Sequence, residues 1–385
     1  MPASMPLSAA PSELPPGRPM AASPAPGRLL ATGLLVLLSA CQSLPTPGAT
    51  QAEEPAASPA TSIDEASLAA LQRASDATVG LLVRAVDDAR SASTLGSHRL
   101  GSGVVIGADG LVLTIGYLIL EAQEIWIELD DGRRLPARTV AYDQATGFGL
   151  VQSLAPLGIA PVPLGSSAAV SREEPLLFVS GGRVGVSGVL SEAHLAARRA
   201  FAGYWEYHID QALFTAPARQ DHSGAGLFNQ RGELLGIGSL VVADVAADGA
   251  ADSGPAGGTH RPGNMFVPVD LLKPVLSEMR TLGSTRASRR AWLGVNCVER
   301  DGRLVVVRVN EDGPAERAGL RPGDQILNLD GRPVHDLAEF YRRLWNEGPP
   351  ARRVTLEIRR EAGNTQRLEL QSTDRLTTLK RPDAI

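Results

Sequence analysis

Between Ser67 and Ser284 the apolar residues fall mostly in short runs, either alternating with polar ones or continuous, and Gly, Pro, Asp and Asn separate them. The runs GSGVVIGADGLVLT, EIWIELDDGRRLPARTVAYD, FGLVQSL, EPLLFVSGG, GVSGVLSE and GELLGIGSLVV have this character. Evenly spaced short strands bounded by turn residues predict a mainly β domain, a barrel or sandwich. Helical periodicity is confined to the edges. An amphipathic stretch covers Ser67 to Ser91, and DLLKPVLSEMRTLG closes the region with Asp270 as a candidate N-cap and Gly283 as a stop. After Ala291 the pattern mixes strands and helices. Pro314 starts a short helix that Gly319 ends, Gly323-Asp324 turns into the strand QILNLD, and Asp330-Gly331 marks a hairpin turn. Asp336 with Glu339 resembles a capping box, and the helix that follows sets Leu337, Phe340, Tyr341 and Leu344 on one face, as core.

The chain has 385 residues, enough for two domains of ~100 to 200 residues with appendages. Its net charge of -5 comes from interspersed acids and bases, without the basic stripe that a phosphate backbone requires, so nucleic acid is excluded as a partner. The two cysteines, Cys41 and Cys297, form no CxxC and no Cys/His cluster, and no metal or cofactor is expected. Cys297 lies in an apolar strand-like run and reads as a buried small hydrophobe.

At the amino terminus Arg18 and Arg28 precede an apolar run from Leu29 to Ala40, too short for the ~20 residues of a membrane-crossing helix. The run ends in Leu38-Ser39-Ala40-Cys41, which resembles a bacterial lipobox. That resemblance implies that residues 1–41 are an export signal with its lipobox, cleaved before Cys41, whose sulfur is acylated; the alternative is an ordinary cleaved signal with an incidental cysteine. Gln42 rather than Asp implies sorting to the outer membrane, facing the periplasm. Met20 is an alternative start that would give a signal of ordinary length. Residues 42–63 are rich in Pro, Ala, Thr and Ser and read as a disordered tether.

Residues 64–284 resemble the trypsin-like domain of the HtrA/Deg family of envelope serine proteases. The blocks GSGVVIGADGLVLT, DGRRLPARTVAYD, QDHSGAGLFNQRGELLGIGS and NMFVPVDLLKPVL stand in that family's order. The resemblance implies a two-barrel, chymotrypsin-type fold. It places the catalytic histidine position on Tyr117, the aspartate position on Gly147 and the nucleophile position on Ser223. Two of three catalytic groups are therefore absent. A serine hydroxyl needs a base, and the base needs an orienting carboxylate. A phenol of pKa near ~10 is poorly suited to that task at neutral pH. In the family the residue two before the serine is a glycine whose N–H helps receive the oxyanion; here Asp221 stands beside Ser223 in that region, with a charge expected to repel it. His222 is a poor substitute base, because neighbours in extended chain point apart. His98, His194, His208 and His260 have no context favouring them. Val241 to Asn264 is a low-complexity insertion where relatives carry a loop flanking the cleft.

Residues 289–374 resemble a PDZ domain, an α+β fold. In such domains a peptide adds as a strand and its terminal carboxylate is captured by the backbone of a glycine-containing loop. By position that loop is Trp292-Leu293-Gly294-Val295, with Arg289 or Arg290 as electrostatic helpers. The implied partners are carboxy-terminal tails or misfolded envelope proteins, a membrane through the lipid anchor, and further copies of the chain. The preferred reading is a tethered pseudoprotease acting as adaptor or regulator in protein quality control. A weak serine endopeptidase using Ser223 and a structural partner of an active protease are the alternatives.

Overall fold

A computed structural model describes residues 65–182, 188–245 and 260–380. The segments read as signal (1–41) and tether (42–63) lie outside the described residues, as does most of the low-complexity insertion.

The first barrel begins with α1 (Glu65–Asp76), which buries Ala70 and Ala74. The amphipathic reading of Ser67 to Ser91 holds only this far, because TVGLLVRA continues as a strand, β1 (Thr78–Ala85). Its β-branched Thr78, Val79 and Val83 favour the extended backbone. After α2 (Ala92–Leu95), a single turn, come β2 (His98–Val105), β3 (Leu111–Ile115), the one-turn α3 (Gly116–Ile119), β4 (Ala122–Glu128), β5 (Arg134–Tyr142) and β6 (Phe148–Ser153). They close in the order β1-β2-β3-β6-β5-β4. The second barrel uses β7 (Pro175–Ser180), β8 (Val189–Gly203), β9 (Tyr207–Ala216), β10 (Gly226–Phe228), β11 (Leu234–Val242) and β12 (Gly263–Pro268), closed as β10-β11-β12-β9-β8-β7. Closure leaves no unpaired edge, so short strands suffice.

Two pairings position the cleft. β3 runs against β6 with Ile115 opposite Phe148, which brings Gly116 N to 2.7 Å from Gly147 O at one end of the barrel. Between the barrels, Ser102 N on β2 donates to Ser223 O at 2.8 Å.

The helix expected from Asp270 is shorter. Pro274 separates a 3-10 turn at Val269–Leu271 from α4 (Leu276–Leu282), since its ring cannot continue the first turn. Asp270 is not the N-cap; its carboxylate accepts from Ala168 N at 2.9 Å and pairs with Lys273. Gly283 does stop the helix, with φ 76.

The carboxy-terminal domain comprises β13 (Ala291–Trp292), β14 (Val295–Arg300), β15 (Arg303–Val309), α5 (Pro314–Arg317), β16 (Gln325–Leu329), β17 (Arg332–Pro333), α6 (Leu337–Asn346), β18 (Arg353–Arg359), β19 (Thr365–Gln371) and β20 (Thr373–Asp374). β14-β15-β16-β18-β19 form its sheet and β13 pairs with β20. Local signals hold here. Pro314 opens α5, Asp330 and Gly331 both take positive φ, and Asp336 Oδ1 accepts from Glu339 N at 2.6 Å. The reciprocal half of the capping box is displaced by one residue, because Glu339 accepts from His335 N at 2.9 Å. Leu337, Phe340, Tyr341 and Leu344 are fully buried, each apolar side chain stabilising the core by about 1.5–3 kcal/mol. Cys297 is buried in the same core.

Candidate functional site

Ser223 sits on the loop before β10, at the wall of an open cleft of about 620 Å³ lined also by Leu100, Gly101, Ser102, Ser180, Arg219, Gln220 and Asp221. Gly224 makes this loop possible. Its φ is 76, and a Cβ there would stand 1.9 Å from Ser102 O. Gly224 N donates to Gly238 O at 2.9 Å, so the serine is held between β2 and β11.

Tyr117, on the turn of α3 after β3, reaches across to this serine. Its hydroxyl lies 2.8 Å from Ser223 Oγ and 2.8 Å from Ser239 O. A carbonyl only accepts and a phenol has one proton, so Tyr117 donates to Ser239 and Ser223 donates to the phenol oxygen. Burial pushes the Tyr117 phenol up to about 12, and the bond from Ser223 offsets that only in part. A neutral phenol of that pKa takes no proton from serine at pH 7.

Gly147 lies where the strand pairing places it, beside the turn that carries Tyr117, with φ 85. The space a side chain would need is taken. A Cβ on Gly147 would come to 3.0 Å from the Tyr207 hydroxyl, which donates to Thr146 O at 2.6 Å. The neighbouring carboxylate, Asp143, is buried and committed: Thr146 N at 3.0 Å and the hydroxyls of Thr146, Thr285 and Ser288 all donate to it.

Asp221 is a paired carboxylate rather than an isolated one. Arg219 donates to both its oxygens at 3.1 Å and Ser180 Oγ donates at 2.6 Å. Burial alone would raise its pKa, but these hydrogen bonds outweigh it and hold the carboxyl below the usual range. His222 turns to Arg219 O, 3.2 Å from Nδ1. Burial lowers its pKa, against the carbonyls of Arg219 and Gln220.

In the carboxy-terminal domain, Trp292, Leu293, Gly294 and Val295 form a buried loop with Gly294 at φ 76. Its N–H groups converge on the carboxylate of Glu206, which sits in the turn between β8 and β9: the distances to Glu206 Oε1 are 2.9 Å from Gly294, 3.1 Å from Val295 and 3.3 Å from Leu293. Arg289 and Arg290 are not its helpers. Arg289 pairs with Asp374 at 3.1 Å and Arg290 lies over the Trp345 ring, 4.3 Å from its centroid. The cation beside the loop is Arg375, over Trp292 at 4.9 Å. Sequence reasoning missed Glu206, Tyr207 and Arg219. Tyr-Trp-Glu-Tyr reads locally as a hairpin tip, and nothing in it marks a partner about ninety residues away.

No group of three or more His, Cys, Asp or Glu side chains that could hold a metal occurs among the described residues.

Residues 101–237 match the trypsin-like peptidase domain and residues 291–371 match the PDZ domain. A DegP-like periplasmic serine endoprotease of Pseudomonas fluorescens is 27% identical over 251 residues, covering 62% of this chain and 49% of the relative. The periplasmic serine endoprotease DegP of Salmonella typhimurium is 26% identical over 288 residues, 71% of this chain and 57% of the relative. The chain thus spans about half the length of the curated relatives it matches. Among solved structures, the serine endoprotease from Yersinia pestis has 23% identity and a TM-score of 0.47, covering 80% of this chain and 97% of that one. The HtrA-type protease AlgW with tripeptide has 22% identity and a TM-score of 0.47, covering 83% and 99%. The chain carries a trypsin-like peptidase domain followed by a PDZ domain and is similar to DegP-type periplasmic serine endoproteases.

Proposed function

We propose that this protein is a pseudoprotease of the bacterial envelope, which binds polypeptide termini through its PDZ domain and serves as adaptor or regulator in protein quality control. One observation carries the loss of catalysis: the group bonded to Ser223 Oγ is a phenol that accepts the serine's hydrogen without taking its proton. Gly147 has no side chain to orient it, and the neighbouring Asp143 is saturated by Thr146, Thr285 and Ser288. In subtilisin, a serine protease of unrelated fold, loss of the base alone costs ~10⁶ in turnover. The peptidase scaffold remains as a rigid mount for the second domain. Cys41, in its lipobox-like context, supplies the tether that keeps the chain at the outer membrane, and residues 42–63 give it reach.

The periplasmic relatives named above are endoproteases, so the reading is tested on hydrolysis itself. Purified wild type and Ser223→Ala are incubated with unfolded casein and, separately, with a fluorophosphonate probe. Equal, background-level signals in both are expected. Ser223-dependent cleavage, or labelling at the speed of a working hydrolase, overturns the reading.

A further inference from the structure

The nest of N–H groups at Leu293, Gly294 and Val295 is filled, and what fills it belongs to the other domain. Glu206 is 2% exposed and takes φ 60, a region that a non-glycine residue rarely adopts. The rest of its hairpin follows the same groove. Tyr204 O accepts from Cys297 N at 3.1 Å, so the chain two residues before Glu206 bonds to the edge of β14. From the facing helix α6, the Tyr341 hydroxyl donates to Gly203 O at 2.9 Å and accepts from Glu206 N at 3.0 Å. A peptide added between β14 and α6 would use these same features, a carboxylate in the nest and a main-chain bond to the strand. Burying a carboxylate is costly unless it is well bonded, and barrel closure by β8 and β9 does not require an acid at their turn.

We propose that Glu206 is a built-in stand-in for a ligand's terminal carboxylate, so that the hairpin of residues 203–207 closes the PDZ groove and a polypeptide terminus binds only by displacing it. The competitor that displaces it is fixed by chemistry: an extended chain with a free carboxylate outcompetes the hairpin, and an amidated chain does not. This rests on the reading of the PDZ domain as a receptor for chain termini.

The test uses the full chain, as wild type and as Glu206→Ala. Glu206→Gly, which suits the positive φ, is the second variant should alanine disturb the turn. Hydrogen exchange reports the nest directly. The amides of Leu293, Gly294 and Val295 are expected to exchange about tenfold faster or more in the variant, with β18 and β19 unchanged. The peptide probe is a fluorescent octapeptide ending in Gly-Tyr-Trp-Val, with a free carboxylate or amidated. The free acid is expected to bind the variant about tenfold more tightly than wild type, and the amide to bind neither. Equal exchange together with equal peptide affinity in both proteins overturns the closure and leaves the receptor reading standing. Faster exchange with no binding of the free acid by either protein supports the closure and sinks the receptor reading.

Discussion

The cleft around Ser223 is open, whereas the nest of N–H groups around Gly294 is filled by a side chain from elsewhere in the chain. In the cleft the proposed change lies in the reacting groups: on our reading Tyr117 stands where a base would and Gly147 where a carboxylate would. In the groove the receiving groups are backbone N–H donors, which no substitution that keeps the turn can delete, and a remote side chain occupies them instead. Side-chain chemistry is lost by single changes; backbone chemistry is lost only by being covered. Two sequence neighbours serve these two ends. Glu206 enters the groove while Tyr207 stands against Gly147.

The largest expected effect separates the frameworks of the two sites. Gly224→Ala would drive a methyl group into the Ser102 carbonyl at 1.9 Å and is expected to cost about 3 kcal/mol or more by urea unfolding. Gly294→Ala meets the Trp292 ring at 3.1 Å and Asn310 Cβ at 3.4 Å and should cost about 1–2 kcal/mol. Equal losses would show that the cleft is no more tightly built than the groove.

Next comes restoration. Tyr117→His combined with Gly147→Asp should lose about 2–3 kcal/mol, because residue 147 keeps φ 85 and its Cβ meets Tyr207. Casein hydrolysis should stay at the Ser223→Ala background. Recovered turnover would mean that only two side chains, and not their surroundings, separate this cleft from an active one.

The groove should respond to pH where the cleft does not. Burial raises Glu206 to about 7, against the opposing pull of the nest N–H groups and Arg375; when the hairpin is withdrawn the group returns to about 4.5. The seated state therefore holds the proton between those values, so seating is favoured at the acid end and weakens as pH rises from about 4.5 to about 7. The other titratable groups facing Glu206, the Cys297 thiol on β14 and the Tyr341 hydroxyl on α6, are pushed up by burial and stay neutral throughout. Affinity for the free-acid octapeptide should rise about tenfold or more across that window and then level off. A flat profile, or a rise toward acid, would contradict this linkage.

The smallest effect is Tyr117→Phe. It removes the donor to Ser239 O and the acceptor of Ser223, an expected loss of about 1 kcal/mol measured by thermal or urea unfolding. A loss near zero would mean that water replaces the phenol at both partners.

Much of this molecule was legible from its residues in order. Strand spacing, Pro314, Gly319, Asp330-Gly331 and the Asp336 cap depend on neighbours within a few positions, so each expresses itself in the fold as its own chemistry dictates. The proposed absence of a base and a carboxylate likewise rests on the identities of Tyr117 and Gly147 alone. Where the reading failed, the deciding partner was distant. The Asp270 carboxylate is taken by Ala168, about a hundred positions earlier, and the nest N–H groups meet Glu206 while Arg289 and Arg290, expected as electrostatic helpers, are held by Asp374 and the Trp345 ring. Sequence determined which groups exist and which local turns they make. Only the tertiary structure decided which of them meet, because hydrogen bonds and buried charges answer to distance in space, and the fold brings Gly294 N to 2.9 Å from a carboxylate about ninety positions earlier in the chain.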